Sequence, residues 1–296
     1  MNPLRALTRP EYAFRPRQVF TRLCRALTAR PACAEVRLPW GDTVRVCPHE
    51  TIGSDIWHLG LFDLPVAEVL WRLLETGERA LDIGANLGQM TSLLRCKAGP
   101  TGHVIAFEPH QELFAALEFL RDAPVNQRRV APLGLVQAGL SDAAGQAWLD
   151  PGPQWAANRG LSRVVTAANG PRGVSIELKT LDECVPPDAR IGVAKLDVEG
   201  HELAVLRGAT RILASGAVRD WVFEDLGAQP SAATALFQTH GYAIFVLQTR
   251  WRGPGLRALN ATASGADLPH NFLATRAPER ARERLASGGW HVLRGA

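Results

Sequence analysis

A chain of 296 residues with 46% hydrophobic and 21% charged residues has the apolar mass for one sizeable core, so one α/β-sized catalytic domain with appendages is expected. Net charge is only +4, and Lys97, Lys179 and Lys195 are the only lysines among 33 basic residues, so the basic pI reads as an arginine bias rather than a nucleic-acid surface. No stretch approaches the roughly 20 apolar residues that span a bilayer. The arginine-bearing N-terminus has neither a following apolar run nor a small-residue cleavage site, which predicts a cytoplasmic location. Cys24, Cys33, Cys47, Cys96 and Cys184 are scattered and never in C-x-x-C spacing, which predicts reduced structural thiols rather than a disulfide framework or a zinc site.

Residues 1–50 read as a basic N-terminal extension. Its first 34 residues hold seven arginines against a single acid, Glu11, and Val19, Phe20, Leu23 and Leu27 recur at helical spacing. The favoured reading is a helix packed on the core with solvated arginines; the less favoured one is a basic amphipathic helix touching membrane or a partner. From Glu35 to Val46, apolar and polar residues alternate around Gly41 and Asp42, a hairpin signal. The main domain is placed at 51–275. It opens with an amphipathic helix marked by Val66, Val69, Leu70, Leu73 and Leu74. Strands are then predicted at 80–83, 103–107, 134–138, 192–196, 220–224 and 242–247, and helices around 87–96, 110–121, 201–213 and 231–239. This alternation implies parallel strands joined by crossover helices. The stretch from about 150 to 175, with Trp155, Asn158, Arg159 and Ser162, breaks the rhythm as a long irregular insertion. Residues 276–296, with Arg276, Arg280, Arg282, Arg284 and Arg294, read as a mobile or surface-docked tail.

The sharpest local signal is A-L-D-I-G-A-N-L-G at 80–88: a buried strand, a glycine turn and a helix start. Gly84 and Gly88 let the backbone turn tightly and approach a ligand, with Ala85 and Asn86 between them. The helix start presents free N–H groups and a positive dipole end to an anionic group. The strand H-V-I-A-F-E-P ends in Glu108, twenty residues beyond Gly88, where a carboxylate can accept both ribose hydroxyls of an adenosine. A nicotinamide dinucleotide and S-adenosylmethionine both suit these features. The G-x-G-x-x-G spacing that admits a pyrophosphate is missing, however, and Asp82 would repel one while suiting the ammonium of a methionine moiety. The alternative for Asp82 is a residue that merely fastens the loop.

The run D-I-G-A-N-L-G, followed by A-F-E-P, L-S-D-A-A-G at 140–145, T-L-D-E-C at 180–184, K-L-D-V-E-G-H-E with V-L-R-G-A, and H-N-F-L-A-T at 270–275, resembles the FkbM family of methyltransferases. The resemblance extends over roughly 50–275. It implies a Rossmann-like class I methyltransferase fold: a mostly parallel seven-stranded sheet with one antiparallel strand and helices on both faces. It also implies S-adenosylmethionine as cofactor, O-methylation as the reaction, and a sugar, glycan or natural-product small molecule as acceptor. It would place Ser141 or Asp142 beside the adenine; without it, L-S-D is a plain turn.

At 195–202, K-L-D-V-E-G-H-E ends a strand and starts a helix, where open α/β sheets place ligands. Methyl transfer to oxygen requires a positioned acceptor and removal of its proton. His201 suits the base role because its ordinary pKa lies near neutrality, while Asp197 or Glu199 orients the acceptor or the imidazole. The bland reading of His201 is a solvent-exposed residue of the first helical turn. Glu202 reads as structural, stabilised by the helix dipole. Glu224, ending W-V-F-E, is a substrate hydrogen-bond acceptor or a salt-bridge partner within the sheet. Asp197, Glu199, His201 and Glu224 also admit a magnesium reading; the expectation is that no metal is needed. The competing function classes are an NAD-linked oxidoreductase, disfavoured by the absence of a Tyr-x-x-x-Lys pair, and a non-catalytic adenosyl-ligand-binding module.

Overall fold

The computed structural model describes residues 9–126, 129–150, 152, 162–165, 173–259 and 270–294. Two helices, α1 (Pro10–Ala13) and α2 (Pro16–Ala26), precede the hairpin β1 (Ala34–Arg37) and β2 (Thr43–Val46), whose register runs from Ala34↔Val46 to Arg37↔Thr43. Helices α3 (Thr51–Leu59) and α4 (Leu64–Leu73) lead into β3 (Arg79–Ile83), α5 (Gln89–Ala98), β4 (His103–Phe107), α6 (Gln111–Asp122) and β5 (Leu133–Val136). Then come β6 (Gly139–Leu140), β7 (Gly145–Asp150), β8 (Arg163–Val165), β9 (Val174–Lys179) and α7 (Leu181–Cys184). The chain continues through β10 (Ile191–Leu196), α8 (Glu202–Arg207), α9 (Thr210–Ser215), β11 (Val218–Glu224), α10 (Ala232–Thr239), β12 (Ala243–Arg250), β13 (Gly253–Ala258), β14 (Asn271–Thr275) and α11 (Pro278–Ala286).

The main sheet runs β13-β12-β14-β11-β10-β3-β4-β5, with β5, β4, β3, β10 and β11 mutually parallel and β14 antiparallel to both β11 and β12. It is the expected α/β sheet with an eighth strand. The extra edge is β13, which Gly253, Pro254 and Gly255 conceal in the sequence, since such residues ordinarily mark a loop. A proline is tolerated there because an edge strand can leave one side of its backbone unpaired. A second sheet, ordered β6-β9-β7-β8, was not foreseen either; it flanks and partly occupies the stretch read as irregular. Trp155, Asn158 and Arg159 of that stretch lie outside the described residues.

Strand residues alternate between two apolar layers, as the period of two requires. Ala80, Val193 and Val222 face one core with α4 and α5, while Leu81, Ala194 and Trp221 face the other with α8, α9 and α10. The predicted helix at 201–213 is instead two, parted at Gly208, where an added Cβ would lie 2.0 Å from the Ser141 carbonyl oxygen. Both flanking segments join the first core. Trp40 of the N-terminal hairpin is buried and donates to Ser92 Oγ at 2.6 Å. The segment read as a tail forms α11 and a final turn with Trp290, Val292 and Leu293 buried; Arg276, Arg282, Arg284 and Arg294 are exposed and Arg280 is half-buried. None of the five cysteines forms a disulfide, and among the described residues no helix is long and apolar enough to cross a membrane.

Candidate functional site

Carboxyl ends of the adjacent strands β11, β10, β3 and β4 open onto a cavity of about 370 Å³, within the range of small-molecule sites. On the β3–β4 side lies the glycine turn. Gly84 and Gly88 adopt φ of 79° and 82°, and Asn86 a φ of 50° that a short polar side chain tolerates. The need for glycine comes from the protein itself. An added Cβ at Gly84 would lie 1.8 Å from the Asp197 carbonyl oxygen, and one at Gly88 would lie 2.9 Å from Leu117 Cδ2. Gly84, Ala85 and Asn86 line the cavity, whereas Gly88 packs beneath it against α6.

Glu108, just past the end of β4, lines the same side. Its Oε2 accepts the Asn86 N–H and its Oε1 the His110 N–H, each at 2.9 Å. Burial pushes this carboxyl up to about 7, against the two backbone bonds that pull it down. Asp82 does not reach the cavity. It is fully buried below the turn, where Oδ2 accepts the Thr91 hydroxyl at 2.5 Å and Oδ1 faces Lys195 Nζ at 3.8 Å, which is the fastening arrangement.

Across two strands, Asp197, Glu199 and Glu224 each offer a carboxylate oxygen within 4.8 Å of the others, and all three line the cavity. Glu199 has a φ of 51°, and Glu202 supports this turn by accepting the Val198 and Gly200 N–H groups at 3.1 and 3.2 Å. Burial, then the charge of Asp197, raises Glu199 to about 7 and Glu224 to about 8. Such a cluster can accept several hydroxyl hydrogens or hold a hard cation.

His201 lines the cavity too; Asp197 and Glu199 were expected to orient either the acceptor or this imidazole, and the imidazole has another partner. Its Nε2 lies 3.0 Å from Ser141 Oγ, and burial lowers its pKa, leaving a neutral ring. Ser141 is therefore buried beneath the imidazole and Asp142 is exposed beside it; neither lines the cavity.

Three residues at the site were given no role of their own in the sequence reading, although Lys195 and Asn271 lie within motifs it singled out. Lys195 Nζ is 3.1 Å from Asp197 Oδ2 and donates to the Gly84 carbonyl at 3.0 Å, joining the ends of β10 and β3. A lone lysine within the apolar strand I-G-V-A-K-L, in a chain with so few lysines, was the available signal. Asp63 and Asn271 line the wall and bond each other at 3.3 Å; burial pushes Asp63 up to about 6. They are 208 residues apart, so no local pattern joins them.

Residues 82–242 match the family described as Methyltransferase FkbM domain. A protein named hexuronic acid methyltransferase AglP, from Haloferax volcanii, is 33% identical over 170 residues, covering 55% of this chain and 58% of that one. The chain thus spans less than two thirds of that relative's length. Among solved structures, a methyltransferase FkbM from Methylobacillus flagellatus aligns at 16% identity with a TM-score of 0.43, over 71% of this chain and 48% of that one. An S-adenosylmethionine-dependent O-methyltransferase from Thermotoga maritima aligns at 12% identity with a TM-score of 0.40, over 84% and 94%.

Proposed function

The chain belongs to the FkbM methyltransferase domain family, and from that premise we propose that it is an S-adenosylmethionine-dependent O-methyltransferase whose acceptor is a sugar hydroxyl. The observation that carries this reading is one cavity bounded by Glu108 at one end and by Asp197, Glu199 and Glu224 at the other. Strands β4 and β11 are three places apart in the sheet, roughly 14 Å at the usual strand spacing. That span suits an adenosyl group on the β4 side with an acceptor on the β11 side.

The residues fit such a ligand. Each Glu108 oxygen uses one lone pair on a backbone N–H and keeps another for a ribose hydroxyl. Gly84, Ala85 and Asn86 form the floor of the adenosyl end. Asp82, remote from the surface, acts through Lys195 and Thr91 to hold the turn. When bound, S-adenosylmethionine supplies an electrophilic sulfonium methyl for in-line displacement by an acceptor oxygen. The three carboxylates orient that acceptor through its hydroxyls, and the density of acceptors favours a polyol. The name of the haloarchaeal relative supports a sugar as well. His201 is neutral at pH 7 and takes up the hydroxyl proton, with Ser141 fixing the ring.

Calorimetry with S-adenosylmethionine, S-adenosylhomocysteine and NAD tests the cofactor: the first two should bind, and binding of NAD alone overturns the reading. Single-turnover methylation of a panel of hexose and hexuronic acid glycans tests the acceptor. His201→Ala should slow turnover by about 10²–10⁴-fold and leave S-adenosylmethionine affinity within a few-fold. Full activity in His201→Ala with loss in Glu224→Gln would transfer the base role to Glu224. Cofactor binding without methylation of any acceptor would favour the non-catalytic module.

A further inference from the structure

Helix α2 carries its polarity inside out. Phe20, Leu23 and Leu27 lie three and four residues apart, hence on one face, and are 70%, 60% and 89% exposed. The opposite face turns to the protein. Gln18 Nε2 donates to the His58 carbonyl at 3.0 Å, Arg22 donates to the Tyr12 hydroxyl, and the Arg25 guanidinium stacks 3.8 Å from the centre of the Trp57 ring and donates to its carbonyl. The expectation of a helix with its apolar face on the core and its arginines in water is thus reversed. A surface helix ordinarily buries its apolar stripe, and this one spends its polar groups on α1 and α3 instead.

Three arginines of this region are exposed: Arg17 on α2, Arg9 just ahead of α1, and Arg30 just after α2, whose guanidinium also donates to the Pro48 carbonyl at 3.3 Å. The first 34 residues hold seven arginines and one acid. A cationic helix with solvated phenylalanine and leucine side chains has the chemistry of an interfacial membrane helix. We propose that α2 docks the protein on an anionic lipid bilayer, with Phe20, Leu23 and Leu27 among the headgroups and Arg9, Arg17 and Arg30 on lipid phosphates. A second copy of the chain is a poorer occupant, because a two-fold pairing of these helices would bring their arginines together. Helix α3, on which α2 packs, contributes Thr51 and Ile52 to the cavity wall, so docking sets the cavity one helix away from the membrane surface.

Sedimentation of the full chain with vesicles tests this. Vesicles of phosphatidylcholine and phosphatidylglycerol at a 3:1 ratio should bind at low salt, at least about tenfold better than phosphatidylcholine alone, and half-molar salt should release the protein. F20S/L23S/L27S and, separately, R17E/R30E should each lower partitioning at least about tenfold. All five positions are exposed and only Arg30 gives up a hydrogen bond, to the Pro48 carbonyl, so the thermal midpoint of F20S/L23S/L27S should hold and that of R17E/R30E should fall little. Failure to bind the anionic vesicles overturns the proposal, as does undiminished binding by the triple variant. A concentration-dependent dimer in light scattering that F20S/L23S/L27S abolishes, with no vesicle binding, would assign the face to self-association instead.

Discussion

Glu108 does two things with one carboxylate: it ties the glycine turn to the residues after β4, and it keeps acceptor capacity facing the cavity. Glu108→Ala should weaken S-adenosylmethionine binding by about 1.5–3 kcal/mol, the usual cost of losing charge-assisted hydrogen bonds. Calorimetry checks it, and an unchanged affinity removes Glu108 from the adenosyl end. The position of Glu108 at the cavity was legible because it rests on one strand end and one spacing. Lys195 was not, since its importance lies in three partners contributed by two strands, Asp82, Gly84 and Asp197. The same holds for His201: the imidazole was legible as a site residue, but its partner Ser141 is 60 residues away.

At the scale of elements, helix α4 clamps the C-terminal segment with one buried ion pair. Glu68 and Arg72, one turn apart, meet at 2.6 Å with side chains 0% and 2% exposed. Glu68 also accepts the His291 and Val292 N–H groups at 2.9 Å, and Arg72 donates to the Gly289 carbonyl at 2.6 Å. Removing one partner leaves a buried charge uncompensated, so Glu68→Ala should cost about 3–5 kcal/mol of stability in denaturant unfolding. The double variant Glu68→Leu with Arg72→Met should cost less than either single change, because no orphan charge remains. Equal losses in all three variants would mean that the pair does no more than fill space. In sequence, the arginines of this segment read as a tail because nothing local shows that Trp290 is enclosed by distant elements.

For the whole molecule, the gathered carboxylates predict a pH dependence of definite sign. Glu224 rises from an ordinary value of 4.5 to about 8, through burial and then the charges of Asp197 and Glu199. Between those two values the folded protein holds a proton that the unfolded chain has released, so this group lowers stability progressively as pH rises through the window. Below the unfolded value both states are protonated and the contribution vanishes. Glu224→Gln should therefore match the parent in Tm near pH 4.5 and exceed it increasingly toward pH 8. A difference that is constant across that range would show that Glu224 is not the group titrating.

What the sequence determined by itself is the part of the protein written in local periods and backbone demands. The β–α alternation, the hairpin at Gly41, the glycine turn at 84–88 and the acidic turn at 197–199 each follow from a few adjacent residues. Tertiary structure alone decided which way α2 faces, because a helical period shows that a stripe exists and not which neighbours are present to cover it. It also decided that Gly84 is needed for the Asp197 carbonyl, that Asp82 lies below the cavity, and that Asp63 meets Asn271. Those contacts join residues tens to hundreds of positions apart, and their energies depend on burial that only the assembled sheet creates.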